Sequence, residues 1–462
     1  MKPRLSAWRF SIACTSALGF ASAAQAVTVD YGVDVGIGET DNVNLAPTNK
    51  VNQTMAITDI DFAIKQQSRR LEVDAKGDFS YLDYLQNAYS AQLIGRFDGQ
   101  AQLALIPERL TWTFQDSFGQ AQIDPFVAVT PTNQEHVNYA STGPNLFLRL
   151  GPLGFVDVTA RYARTDYQTS PFDSNRFSAS LAVGRQLSAS SSVSINASSE
   201  RVLFDDTLLN TDFNRSSAYV HYEVQGARTS LSANLGVTKA DQGGASVTGP
   251  LAKLELSRQL SSAAKLIFTA GRDLTDASTS FNGPGGVGGA GGGIGITPGG
   301  SLGGNNTAPG GALSGIGTTP AAVTSANYTV TYASVGWDYV RNRTTFGLTG
   351  RWEKDSYDGL PQLDLSRGDA EFRVERKLNR AFSAQLSGSI YRTEYAQANF
   401  AETDGRVGGA LTYRQGRGLE VRLRYDHTSR IASGIASGSG YSENRAFLTI
   451  GYRPEPKGRT TT

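Results

Sequence analysis

Hydrophobic and polar residues alternate along most of this chain with a period of two. Leu71, Val73, Ala75, Gly77, Phe79 and Tyr81 fall on one face; Glu72, Asp74, Lys76, Asp78 and Ser80 fall on the other. From Tyr89 to Leu105 every odd position is apolar or glycine. Val156, Val158, Ala160 and Tyr162 oppose Asp157, Thr159 and Arg161, and Leu419, Val421, Leu423 and Tyr425 oppose Glu420, Arg422, Arg424 and Asp426. Successive side chains of a strand point to opposite faces, so each stripe predicts a strand. No apolar stripe of helical period runs longer than one or two turns.

The predicted strands between residues 28 and 453 number 20, with 18 the nearest alternative. Most are about 10–16 residues long, well beyond the ~5–6 of soluble sheets and enough for the ~9–11 of a tilted membrane-crossing strand. Their charged faces would carry a heavy desolvation cost inside a soluble sandwich. Connections alternate in length. Those at 38–54, 120–136, 205–212, 274–325, 395–404 and 430–441 are long, while Gln66 to Arg69, Gly151 to Leu153, Arg341-Asn342 and Gly416-Arg417 are tight. Outer-membrane barrels have this rhythm of short periplasmic turns and long outer loops. The expected fold is therefore all-β: a transmembrane antiparallel up-and-down β-barrel of about 18–20 strands over 27–453, both termini periplasmic, with a short tail at 454–462. Tyr81, Tyr84, Tyr162, Tyr167, Trp337, Tyr339, Trp352, Tyr357, Tyr391, Tyr395 and Tyr452 lie near strand ends and read as interfacial aromatic girdles.

Composition narrows the function. A net charge of +1, from 43 basic and 42 acidic residues, gives no basic excess for nucleic acid. No run approaches the ~18–20 apolar residues of a spanning helix. Residues 1–26 read as a cleaved secretory signal peptide: Lys2, Arg4 and Arg9, an apolar Phe10 to Phe20, then Ala24-Gln25-Ala26. Ser11-Ile12-Ala13-Cys14 is a poor lipoprotein box, because Ser11 stands where a large aliphatic belongs. Cleavage after Ala26 removes Cys14, the one cysteine, and with it any disulfide or thiolate metal site. The loop at 274–325 is Gly-rich and uncharged between Asp276 and Asp338; it reads as a pliable exterior segment able to lie across a pore. It lacks the Gly-Lys-Ser/Thr of a phosphate loop.

Glu39-Thr40-Asp41-Asn42-Val43-Asn44-Leu45-Ala46-Pro47 in the first long loop resembles the beta-barrel porin type 2 family, and close to it the barrels associated with PEP-CTERM/exosortase exopolysaccharide loci. Pro107 to Leu110, Trp112, Asp116 to Gln120 and Thr142-Gly143-Pro144 extend the resemblance over most of the barrel. It implies an outer-membrane channel for export or passage of extracellular polysaccharide, with periplasmic secretion components as partners and no catalytic residue. A general diffusion porin, or a structural or adhesive barrel, stands as the alternative.

Little chemistry competes with a channel. His136, His221 and His427 lack metal-ligand spacing, and Glu135-His136 and Asp426-His427 are strand neighbours aimed at opposite faces. No enzyme activity, cofactor or metal is expected. The inward charges are the candidate pore lining: Glu72, Asp74, Lys76, Asp78, Arg161, Glu371, Arg373, Glu375, Glu420, Arg422, Arg424 and Asp426. Both signs are interleaved, which argues against strong ion selectivity. With only about 14 residues between the cleavage site and the first exterior loop, an N-terminal plug domain is not expected, which disfavours an energised uptake receptor.

Overall fold

A computed structural model describes residues 27–124, 126–277, 324–395, 397, 399–416, 418–434 and 439–454. The signal segment, most of the glycine insert and the end of the C-terminal tail lie outside the described residues. The described residues form twenty antiparallel strands, from β1 (Thr28–Thr40), β2 (Gln53–Gln67) and β3 (Leu71–Tyr84) to β18 (Phe400–Gln415), β19 (Leu419–Gly434) and β20 (Tyr441–Tyr452). Each strand pairs with the next, and β20 pairs with β1, so the sheet closes into a barrel without an open edge.

Alternation sets the wall. Val35 and Ile37 on β1, Leu386 and Ile390 on β17 (Phe382–Tyr395), Leu423 on β19 and Ile450 on β20 are exposed on the outer surface, while Asp34, Asp59, Glu420 and Asp426 are buried on the inner one. This inverts a soluble protein, whose exposed apolar surface is scattered rather than banded.

At the end where β1 begins and β20 finishes, the strands are joined by turns of two to four residues, as at 68–70, 151–153 and 342–343. At the other end the connections are mostly longer, including 41–52, 85–91 and 123–133. Two break the rule: the connection expected at 395–404 spans only 396–399, and the one between Gln242 and Ala245 is shorter still. That one is a tight turn in which Gly243 and Gly244 have φ of 58° and 85°. Positive φ at both central residues matches the right-handed twist of a hairpin and suits glycine, so β11 (Thr229–Gln242) and β12 (Ala245–Gln259) join as a tight hairpin. The alternation that begins at Tyr89 becomes strand only at Gln92, in β4 (Gln92–Ile106), because 85–91 turn over the wall and set Tyr89 edge-to-face against Tyr84 at 5.6 Å.

The aromatic girdle is only partly on the outside. Tyr81, Tyr162, Trp337, Trp352 and Tyr452 are exposed on the outer face. Tyr84, Tyr357 and Tyr395 are buried, and they share the inner parity of their strands with Tyr391; Tyr167 shares that of buried Ala163 and Thr165. A tyrosine near a strand end carries no marker of which face it takes; parity with its neighbours decides.

Candidate functional site

The site is at the mouth, where two long loops turn into the barrel. The first, 41–52, is built on Asn42, which is fully buried. Its Nδ2 donates to the carbonyls of Ala46 (2.8 Å) and Ser442 (2.9 Å), and its Oδ1 accepts from the Ala46 amide at 3.0 Å. Asn44 Oδ1 accepts from the Val51 amide at 3.1 Å. Asp41 accepts from the Asn444 amide (2.8 Å) and Nδ2 (2.6 Å). Burial pushes the Asp41 carboxyl up, but these bonds and the nearby Lys50 charge outweigh it and hold it below the ordinary aspartate range. The loop thus folds back on itself, and Val43 joins Met55, Ile57, Leu82, Tyr84, Ile94 and Phe447 in an apolar cluster on the inner wall.

The second loop, 123–133, joins β5 (Leu110–Gln122) to β6 (Gln134–Leu150). Asn133 organises it: its Nδ2 donates to the carbonyls of Asp124, Val127 and Ala128 at 2.9–3.2 Å, and its Oδ1 accepts from the Asp124 amide at 2.9 Å. From this compact base Phe126 reaches strands far around the ring. Its ring lies 5.0 Å from that of Tyr395 on β17 and 5.5 Å from that of Phe400 on β18. The loop therefore runs as a chord across the mouth. Beneath it lies a pocket open to solvent, with a cavity volume of about 90 Å³. Val129, Pro131 and Gln134 form its roof, the apolar cluster one side, and Tyr391, Asp404, Arg406, Arg430, Glu443 and Arg445 the other.

The charged side is ordered by register. Arg430 binds Asp404 through Nε and Nη2 at 2.8 and 3.0 Å and reaches Glu402 at 3.1 Å. Arg424 bonds Asp426 at 2.8 Å, and Arg406 stands 3.7 Å from the same carboxylate. Glu443 accepts from Thr40 Oγ1 at 2.7 Å and lies 3.7 Å from Arg445. Farther along the barrel Glu420 meets Arg414 and Arg422, and Arg453 crosses Gly32 to bond Asp61. A second ion cluster stands elsewhere on the rim. Asp276, just past β13 (Ala264–Thr275), turns inward to Arg176 (2.6 Å) and Arg215 (3.0 Å), both of which also hold Glu200 at 2.5 Å. On the outer rim Arg164 grips Asp205 through two bonds of 2.7 and 2.9 Å and so lowers that carboxyl.

The candidate lining residues all fall on the inner parity of their strands, but in different settings. Asp78, Glu420 and Asp426 are buried; Glu371, Arg373 and Glu375 are half-buried; Glu72, Asp74 and Lys76 are exposed near the short-turn end. Arg161 turns back onto the wall, donating to the Pro144 carbonyl (2.9 Å) and Asn145 Oδ1 (2.5 Å). Arg422, Arg424 and Asp426 belong to the charged wall next to the pocket; the others stand apart from it. Sequence reading missed Arg406, Arg430 and Arg445, which inner parity on β18–β20 would have found, and Phe126, for which no local signal exists. Glu135 faces in and accepts from the Thr169 and Ser170 amides at 2.8 Å, whereas His136 stacks outward on Phe118 at 5.3 Å. The two His-acid neighbours are thus split across the wall. Among the described residues no group of three or more His, Cys, Asp or Glu is placed to hold a metal ion.

No protein-family model matches the chain, and no curated protein matches it. Among solved structures it is similar to the siderophore receptor PirA from Pseudomonas aeruginosa, at 12% identity and a TM-score of 0.40, covering 93% of this chain and 81% of that one. It is also similar to the FrpB iron transporter from Neisseria meningitidis (8% identity, 92% and 81% covered, TM-score 0.44) and to the copper transporter OprC (9%, 94% and 81%, 0.43).

Proposed function

We propose that the protein is an outer-membrane channel through which small hydrophilic solutes diffuse. The observation that carries this is the inversion of the wall: apolar side chains banded outside a closed barrel, and charged, amide and hydroxyl side chains inside it. Only a closed barrel satisfies all its strand hydrogen bonds in lipid, and a polar interior needs water. The short-turn end, where β1 begins and β20 finishes, is then periplasmic, and the loop end exterior. Loops 41–52 and 123–133 narrow the mouth, which favours small solutes over a bulky polysaccharide. The test is conductance of the purified barrel in planar bilayers, paired with liposome swelling in sugars of increasing size. Discrete steps and swelling that falls with sugar size are expected. Absence of steps would make it a structural or adhesive barrel, and entry of long polysaccharide would restore the polymer-export reading.

A further inference from the structure

The pocket beneath loop 123–133 is two-faced, and its two faces point to one kind of ligand. We infer that it binds monocarboxylates with an apolar or aromatic body as they pass; this rests on the channel reading and names the solute class it favours. One face is hydrocarbon: Met55, Leu82, Tyr84 and Phe447 from the wall, with Val43 and Leu45 brought in by the first loop. The other carries charge, with three guanidinium groups (Arg406, Arg430, Arg445) against two carboxylates (Asp404, Glu443).

These cations are not equally engaged. Arg430 is held by Asp404 and Glu402 together. Arg406 and Arg424 both reach Asp426. Arg445 is 9% exposed, the Glu443 oxygen facing it is 3.7 Å away while the other oxygen of that carboxylate accepts from Thr40, and its Nε has no hydrogen-bond partner. A buried guanidinium with unspent donors is a strong acceptor-seeking group, and planar carboxylates fit its fork. A small inorganic anion would satisfy the arginines but leave the apolar face wet. A neutral sugar would do the reverse to the arginines. A carboxylate on a ring or short chain satisfies both faces, its head toward Arg445 and its body along Leu82, Tyr84 and Phe447. The roof from loop 123–133 closes the third side with Val129 and Pro131.

Phenylacetate, its neutral amide phenylacetamide, and acetate separate the two contributions. Calorimetry on the intact barrel in detergent should give saturable phenylacetate binding, at least about tenfold weaker for the amide and for acetate. In planar bilayers, phenylacetate should reduce chloride conductance at concentrations where the amide does not. Arg445→Gln should weaken phenylacetate binding about tenfold, and Arg445→Lys should recover part of it. Leu82→Ser should weaken phenylacetate but leave acetate unchanged, and heat-modifiable migration verifies that each variant is folded. Equal binding of phenylacetate and phenylacetamide, or binding unchanged in folded Arg445→Gln, overturns the inference. A barrel that binds phenylacetate but gives no conductance steps overturns the channel reading instead.

Discussion

Two stretches of the inner wall are built from different chemistry. On β18–β20 the inward positions are Glu402, Asp404, Arg406, Glu420, Arg422, Arg424, Asp426, Arg430, Glu443 and Arg445, and most are buried. On β8 (Ser174–Ser188), β9 (Ser191–Phe204), β10 (Phe213–Gln225) and β11 the inward residues below the Arg176 cluster are mostly neutral: Ser178, Ser180, Asn196, Ser198, Ser217, Tyr219, His221 and Asn234 are half-exposed, Ser194 is buried, and Glu223 is the one carboxylate among them. There, short neutral bonds join neighbouring strands, as between Ser198 and Ser217 or His221 and Asn234, each at 2.6 Å. In these two stretches charge is concentrated where the wall is buried, and neutral groups predominate where it stays open. Buried ions hold each other in fixed geometry only as complete sets, whereas hydroxyls tolerate water in place of a partner.

The largest effect should come from breaking a buried set. Arg430→Met leaves Glu402 and Asp404 facing each other without a cation, and a loss of about 3–5 kcal/mol is expected in urea unfolding of the barrel in lipid vesicles. A loss below 1 kcal/mol would mean that water reaches the charged wall as freely as the neutral one. Next comes the lipid face of the same wall. Val421→Arg should cost about 2–4 kcal/mol near mid-bilayer, visible as reduced insertion and lost heat-modifiability; normal insertion would refute the outward assignment of Val421. On the open wall Ser198→Ala removes one neutral bond and should cost only about 0.5–1.5 kcal/mol in the same unfolding assay. The smallest effect is at the rim. The Asp205 carboxyl is depressed by Arg164, so its contribution is present above the unfolded aspartate value of ~3.9 and is lost as pH falls through the folded value. Amide exchange across 205–212 should therefore quicken below about pH 4, after correction for intrinsic rates, and Asp205→Asn should remove that dependence.

The wall was legible in the sequence because its information is local. Val421 and Arg422 are neighbours with opposite environments, and a period of two states this directly; the same rule, applied across all strands, yields the count. The mouth was not legible. Nothing around Phe126 signals that it packs on Tyr395 and Phe400, about 270 residues later in the chain. Asp276 reads as the edge of an uncharged insert, yet it pairs with Arg176 a hundred positions earlier. Loop direction is set by contacts that exist only once the ring has closed. The first-loop motif lies between these cases: Asp41 and Asn42 stood out as residues, but what they bind, Ser442 and Asn444, comes from the other end of the chain.

That last contact bears on how the molecule comes into being. β1 and β20 meet through eight residue pairs, where β18 and β19 share sixteen. The seam is tight: a Cβ on Gly36 would sit 2.2 Å from the Leu448 carbonyl oxygen. Every other pairing joins consecutive strands and can form as the chain emerges, one hairpin after another. The seam alone joins residues some 400 positions apart, such as Thr40 and Glu443. Closing a loop of that length in a free chain costs about 5 kcal/mol in entropy, so a growing barrel gains by stacking its hairpins first and joining its ends last. A chain cut short before Tyr441 therefore does not give a smaller barrel. It gives a curled sheet with two bare edges, each ready to pair with the next chain it meets.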